Sequence, residues 1–158
     1  MALPFLPGYR LQEGSSLDRA RLVKFAQRTY RELYPDRDFS HLAHTIEQYF
    51  SAKTPVWWVE TETAEETEPI ACLWLGNAID QLGGDRHAHI FLVYVAPPHR
   101  RRGIASALVR HAETWARQRG DSQIGLQVFA DNDRAVTLYR KLGYRTLSWW
   151  MVKPLDRS

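Results

Sequence analysis

A chain of 158 residues, 44% hydrophobic and 25% charged, has the size and balance of a single domain with a buried core, which excludes a disordered or low-complexity protein. No stretch approaches the roughly 20 apolar residues of a membrane-spanning helix, and the apolar start Met1–Gly8 carries two prolines and no basic residue, so it reads as neither anchor nor signal peptide. The lone Cys72 excludes an internal disulfide and fits a reducing cytoplasm, while the net charge of +3, gathered largely in Arg100-Arg101-Arg102, points to a local anion and argues against a nucleic-acid-binding surface.

In chain order, Tyr9–Gln12 predicts a short strand, and Glu13-Gly14-Ser15-Ser16 a turn. Ser16 or Asp18 then caps a helix to about Leu33, whose positions Leu22, Phe25, Ala26, Thr29 and Leu33 recur at helical spacing until Tyr34-Pro35-Asp36 breaks it. A second helix is expected over Phe39–Phe50. Pro55–Thr61 and Ile70–Gly76 form a hairpin across an acidic turn, Thr63–Pro69. His89–Val95 is too continuously apolar for a sheet edge and is placed in the centre. A helix from Gly103 to Arg119, closed by Gly120, is followed by a strand over Gln123–Phe129. Asn132 or Asp131 caps a helix to about Leu142, and Tyr144–Lys153 predicts a final strand. This order gives a mixed α/β layered fold over one domain, residues 1–158.

The chemistry concentrates where the central strand turns into a helix, Val93–Leu108. A helix start exposes unpaired N–H groups and the positive end of the dipole. Gly103 removes a side chain there, Ala105 is nearly as small, and three arginines surround the mouth, the ingredients of a phosphate cradle. The same residues also read as a solvated, arginine-rich helix start, and spacing alone leaves both open. The segment lacks the Gly-Lys-Ser/Thr ending of a Walker loop and the Gly-x-Gly-x-x-Gly of a dinucleotide fold. No metal ligand set is predicted.

Val95-Ala96-Pro97-Pro98-His99-Arg100-Arg101-Arg102-Gly103-Ile104-Ala105 resembles motif A of the GNAT superfamily of N-acetyltransferases, with its core Gln/Arg-x-x-Gly-x-Gly/Ala at Arg100–Ala105. Asn132-Asp133-Arg134-Ala135-Val136-Thr137-Leu138-Tyr139-Arg140-Lys141-Leu142-Gly143-Tyr144 resembles motif B. The two motifs stand in the family's order, joined by a helix and a strand. One departure is Arg101, where the family most often has glycine. Another is the short C-terminus, which leaves room for a single bent strand.

The resemblance implies the GNAT acyl-CoA N-acyltransferase fold, a mixed central sheet flanked by helices in three α/β/α layers. It also implies acetyl-CoA as co-substrate and a small-molecule or peptide amine as acceptor, attacked directly in a ternary complex. By the same resemblance, the N–H groups of Arg101, Arg102, Gly103, Ala105 and Ser106, next to Arg100, hold the pyrophosphate. A bulge near Val93 lets the backbone of Val93 and Val95 pair with the pantetheine arm, and the Val93 N–H faces the thioester carbonyl. Tyr139 protonates the leaving thiolate and contributes to coenzyme binding, and Asn132 reaches the pantetheine while capping its helix. His89 stands where some members carry a glutamate base; on strict alternation it shares a face with Phe91, Val93 and Val95, and ordered water is the other candidate for that role. Arg140 and Lys141 lie either near the adenosine phosphates or on a solvated face. The acids of Tyr34–Asp38 face the acceptor side or solvent, and one of Trp149 and Trp150 points into a cleft or a homodimer contact. Cys72 reads as core. The other function class left open is a non-catalytic acyl-CoA-binding sensor or scaffold.

Overall fold

The computed structural model describes residues 3–63 and 68–156, so most of the expected acidic turn lies outside the described residues. The chain forms two compact units, residues 1–127 and 128–158.

The first unit runs β1 (Leu3–Leu6), β2 (Tyr9–Glu13), α1 (Arg19–Leu33), α2 (Leu42–Tyr49), β3 (Val56–Thr61), β4 (Ala71–Ile79), β5 (Arg86–Val95), α3 (Ile104–Arg119) and β6 (Ile124–Leu126). The strands lie in one sheet in sequence order. Every pairing is antiparallel except β5–β6, which is parallel because α3 carries the chain back across the sheet. β1 adds a strand that the sequence reading left out, and β5 lies inside the sheet as its apolar run requires.

A capping box starts α1. Ser15 Oγ accepts from the Leu17 N–H at 3.2 Å, and Asp18 Oδ2 accepts from the Ser15 N–H at 2.8 Å, within a short 3-10 turn over Ser16–Asp18. α1 buries Leu22, Phe25 and Ala26, and α2 buries Leu42 and Ile46. Phe25 meets Trp58 and Tyr94 edge-on, with ring centres 5.2 and 5.6 Å apart. The neighbouring Trp57 instead meets His111 and Trp115 of α3. Adjacent strand residues point to opposite faces, so α1 and α2 cover one face and α3 the other. The result is three layers, and both tryptophans are buried because the strand between them is covered twice.

The second unit contains α4 (Asp133–Lys141). Asn132 Oδ1 accepts from the Ala135 N–H at 3.3 Å at its start. At its end Gly143 takes φ 96°, and the Tyr144 N–H reaches the Tyr139 carbonyl at 2.9 Å, a Schellman closure. The expected strand over Tyr144–Lys153 is not formed: residues 145–156 adopt no regular secondary structure.

Candidate active site

β5 pairs with β6 only over Ala88–Ile90. Beyond Ile90, that edge of β5 has no strand partner among the described residues. The Ala96 N–H donates to the Ile70 carbonyl at 2.8 Å on the β4 side. By alternation, Val93 and Val95 turn their backbone groups toward the open edge. The pairing with β4 shifts where Leu92 faces Trp74 and Ile90 faces Leu75, leaving Phe91 as the extra residue. The bulge therefore sits two residues before Val93. It also corrects the expected alternation. His89 and Phe91 are 5.3 Å apart, and Phe91 lies against Trp74 and Tyr49 on the α1–α2 face. Leu92 and Tyr94 belong to the core on that face too, so Val93 and Val95 face the other way.

The turn after β5 is built to keep amides free. Pro97–His99 makes one 3-10 turn, Arg101 takes φ 65°, the sole positive value among described non-glycine residues, and Gly103 takes φ 81° at the start of α3. A left-handed conformation costs an L-residue about 1–2 kcal/mol, and such strain collects at ligand clamps. No side chain caps α3, and among the described residues no backbone carbonyl accepts from the N–H groups of Arg101, Arg102, Gly103, Ala105 or Ser106. A Cβ on Gly103 would meet nothing within 4 Å, so the space before these amides is open.

The arginines divide their work. Arg100 donates through Nε to the Val95 carbonyl at 2.8 Å and through Nη2 to Glu32 Oε2 at 2.6 Å. Its side chain thus braces the turn against α1, and the Val95 carbonyl is already taken, leaving the Val95 N–H. Arg102 Nη1 donates to the Tyr9 hydroxyl at 2.9 Å, which lies 2.8 Å from His99 Nδ1 and ties the turn to β2. Arg101 is exposed.

His89 is half-buried on β5, and burial first, then His87, holds its imidazole below the ordinary 6.5. It is therefore neutral, with a lone pair, near pH 7. Burial pushes the Cys72 thiol well up, which removes it as a nucleophile. In the second unit, burial raises the Tyr139 phenol to about 12, keeping it protonated, and Asn132 spends its carbonyl oxygen on the cap.

The model of the acetyltransferase (GNAT) family matches residues 19–144. The chain belongs to this family. As a GNAT acetyltransferase it is an acyltransferase, and its relatives carry that activity in their names. It is 28% identical over 117 residues to an aminoglycoside N(6')-acetyltransferase type 1 of Acinetobacter haemolyticus, covering 72% of this chain and 78% of that protein. It is 32% identical over 93 residues to the N-acetyltransferase YdgE of Bacillus subtilis, covering 59% of this chain and 58% of that one. The streptothricin acetyltransferase of Streptomyces lavendulae is 42% identical over 52 residues, of which this chain spans only 28%. In fold, it superposes on a GCN5-related N-acetyltransferase from Ralstonia eutropha with TM-score 0.71 at 22% identity, over 94% of this chain and 99% of that one. An aminoglycoside acetyltransferase from a soil metagenome, crystallised with trehalose, gives TM-score 0.71 at 13% identity, over 97% and 100%.

Sequence reading located the turn of this GNAT acetyltransferase but missed the residues that brace it. Glu32 and Tyr9 stand 68 and 93 positions from their arginines, with no local pattern to connect them. The bulge expected near Val93 lies at Phe91. Gly76, paired with His89, was the available signal: a Cβ there would stand 1.8 Å from Phe91, so only glycine admits the bulged ring.

Proposed function

We propose that this GNAT acetyltransferase transfers an acetyl group from acetyl-CoA directly to a primary amine, both bound at once in a single catalytic domain. The observation that carries this reading is the run of free amides over Arg101–Ser106 beside a β5 edge that is unpaired past Ile90. Those residues suit the coenzyme: orphan donors and a helix start for its pyrophosphate, and an open strand edge for its amide-bearing arm. Acetyl-CoA, when bound, supplies an activated thioester. The family match over residues 19–144 supports treating both units as one functional domain.

The roles of the chain's own residues follow. The N–H groups of Arg101, Arg102, Gly103, Ala105 and Ser106 hold the anion, and Arg100 and Arg102 keep the turn in shape. The Val93 N–H, directed to the open edge, donates to the oxygen on which charge develops, an interaction worth about 10²–10³ in rate in comparable sites. His89, neutral at pH 7, accepts the proton of the attacking amine, directly or through water. Tyr139 stays protonated, and with a value of about 12 against about 8.5 for a free thiol, complete transfer to a thiolate is uphill. It acts as a hydrogen-bond donor to the departing sulfur, and solvent completes the protonation. Cys72 is fully buried, which supports direct attack over an acyl-enzyme. A cytoplasmic location belongs to the same reading, since the one cysteine is a free thiol. Acetyl-CoA, an amine and a second copy of this chain are its partners.

The test is acetyl-CoA turnover across an amine panel, read as free thiol, with calorimetry for binding. Gly103→Glu places a carboxylate before the cradle and lowers acetyl-CoA affinity at least 100-fold. Unchanged affinity removes the cradle. Tight binding without turnover on any amine replaces the enzyme with a sensor.

A further inference from the structure

The strand that carries the proposed base carries a second imidazole. His87 and His89 stand two positions apart on β5, so their side chains leave the same face, and their ring centres are 6.5 Å apart. β6 pairs Gly125 with His89. A Cβ on Gly125 would lie 3.2 Å from His87 Cε1 and 3.5 Å from His89 Nδ1, so both rings close over this one glycine. His87 is only 9% exposed. Its Nδ1 lies 2.9 Å from the Ala88 carbonyl oxygen, which can only accept, so Nδ1 carries a proton and the bond pins the ring.

Among the described residues, neither imidazole has a carboxylate partner. β4 sets Ala78 opposite His87 and Gly76 opposite His89, and neither these nor Gly125 carries a charge. Arg86 alternates to the other face of β5. Asp121 and Arg119 are bonded to each other, with Asp121 also on the Ala88 N–H and Arg119 on Asn77. The two rings therefore accept one positive charge more easily than two. At 6.5 Å, repulsion moves the second protonation by about 0.5–2 pH units. The charge settles on His87, because a cationic Nδ1–H strengthens its bond to the Ala88 carbonyl, whereas His89 has no hydrogen bond among the described residues. We propose that His87 is a positioning residue for the transfer: it carries the positive charge of the pair and so holds His89 as the free base in mildly acid solution. The assignment rests on the reading of His89 as base and deepens it. Burial remains the larger cause of the neutrality of His89, with His87 the second.

Protein labelled with ¹³C at histidine Cε1 gives a resonance for each imidazole, and the one lost in His89→Gln is that of His89. In the parent this resonance titrates below the ordinary 6.5, and about 1 M salt, which screens charges beyond about 3 Å, raises the midpoint. His87→Asn keeps an N–H for the Ala88 carbonyl and removes the charge. The His89 midpoint then rises by about one pH unit and loses its salt dependence. His87→Gln, closer to the ring in size, gives the same rise. The acidic limb of kcat/KM moves up with the midpoint, so turnover in acid falls about tenfold while the plateau holds. A midpoint unmoved in either variant, or moved equally by salt in parent and variants, overturns the proposal. A raised midpoint with an unmoved acidic limb strikes the base reading of His89 instead, while the salt response still decides the pair.

Discussion

Burial acts on His89 and Tyr139 in the same sense, holding each neutral. For His89, burial disfavours the imidazolium, so the neutral base prevails above a value lower than 6.5. We expect kcat/KM to rise with pH through that value and then level off. His89→Gln lowers the plateau about tenfold or more and removes the acidic limb; a pH–rate profile identical to that of the parent dismisses His89 as base. For Tyr139, burial also favours the neutral form, the one that the proposed donor role needs. Tyr139→Phe lowers kcat by about 10–100-fold with a smaller change in KM for acetyl-CoA, measured by steady-state thiol release. Full turnover in the phenylalanine variant removes the assignment. The resemblance named both side chains as candidates, but their protonation states were not legible in the sequence, because those depend on what packs around them.

The α3–β6 connection shows how an element is held in register. Asp121 accepts from the Ala88 N–H at 2.7 Å and from Arg119 Nε and Nη2 at 2.9 and 2.6 Å, and Arg119 also donates to Asn77. The Asp121 side chain is only 2% exposed. The Arg119 hydrogen bonds come first among the causes that hold its carboxyl below the usual 3.8. The sign follows: its stabilisation is present in full above the ordinary carboxylate range and is lost as pH falls through the lowered value. Asp121→Ala costs about 1–3 kcal/mol at pH 7, leaving the Ala88 amide unmet and the partly exposed Arg119 with only Asn77. Urea unfolding of parent and variant measures this, and the difference shrinks in acid below pH 3.8. At this scale the sequence marked most elements well. Periodicity and caps located α1, α3 and α4, and apolar runs located β3, β4 and β5. The predicted strand over Tyr144–Lys153 is not formed, since residues 145–156 take no regular secondary structure and composition states only a preference.

At the scale of the whole molecule, the second copy proposed above as a partner is tested by sedimentation: a concentration-dependent dimer is expected, and a monomeric parent at high micromolar concentration refutes it. The sequence by itself determined the family, the order of the main elements and the turn at Arg100–Ser106, because motifs, caps and periodicity are local chemistry written in adjacent residues. Tertiary structure alone decided that Glu32 and Tyr9 brace that turn and that Phe91 bulges over Gly76. Those facts arise from residues far apart in the chain meeting across a sheet, where packing, not spacing, sets who meets whom.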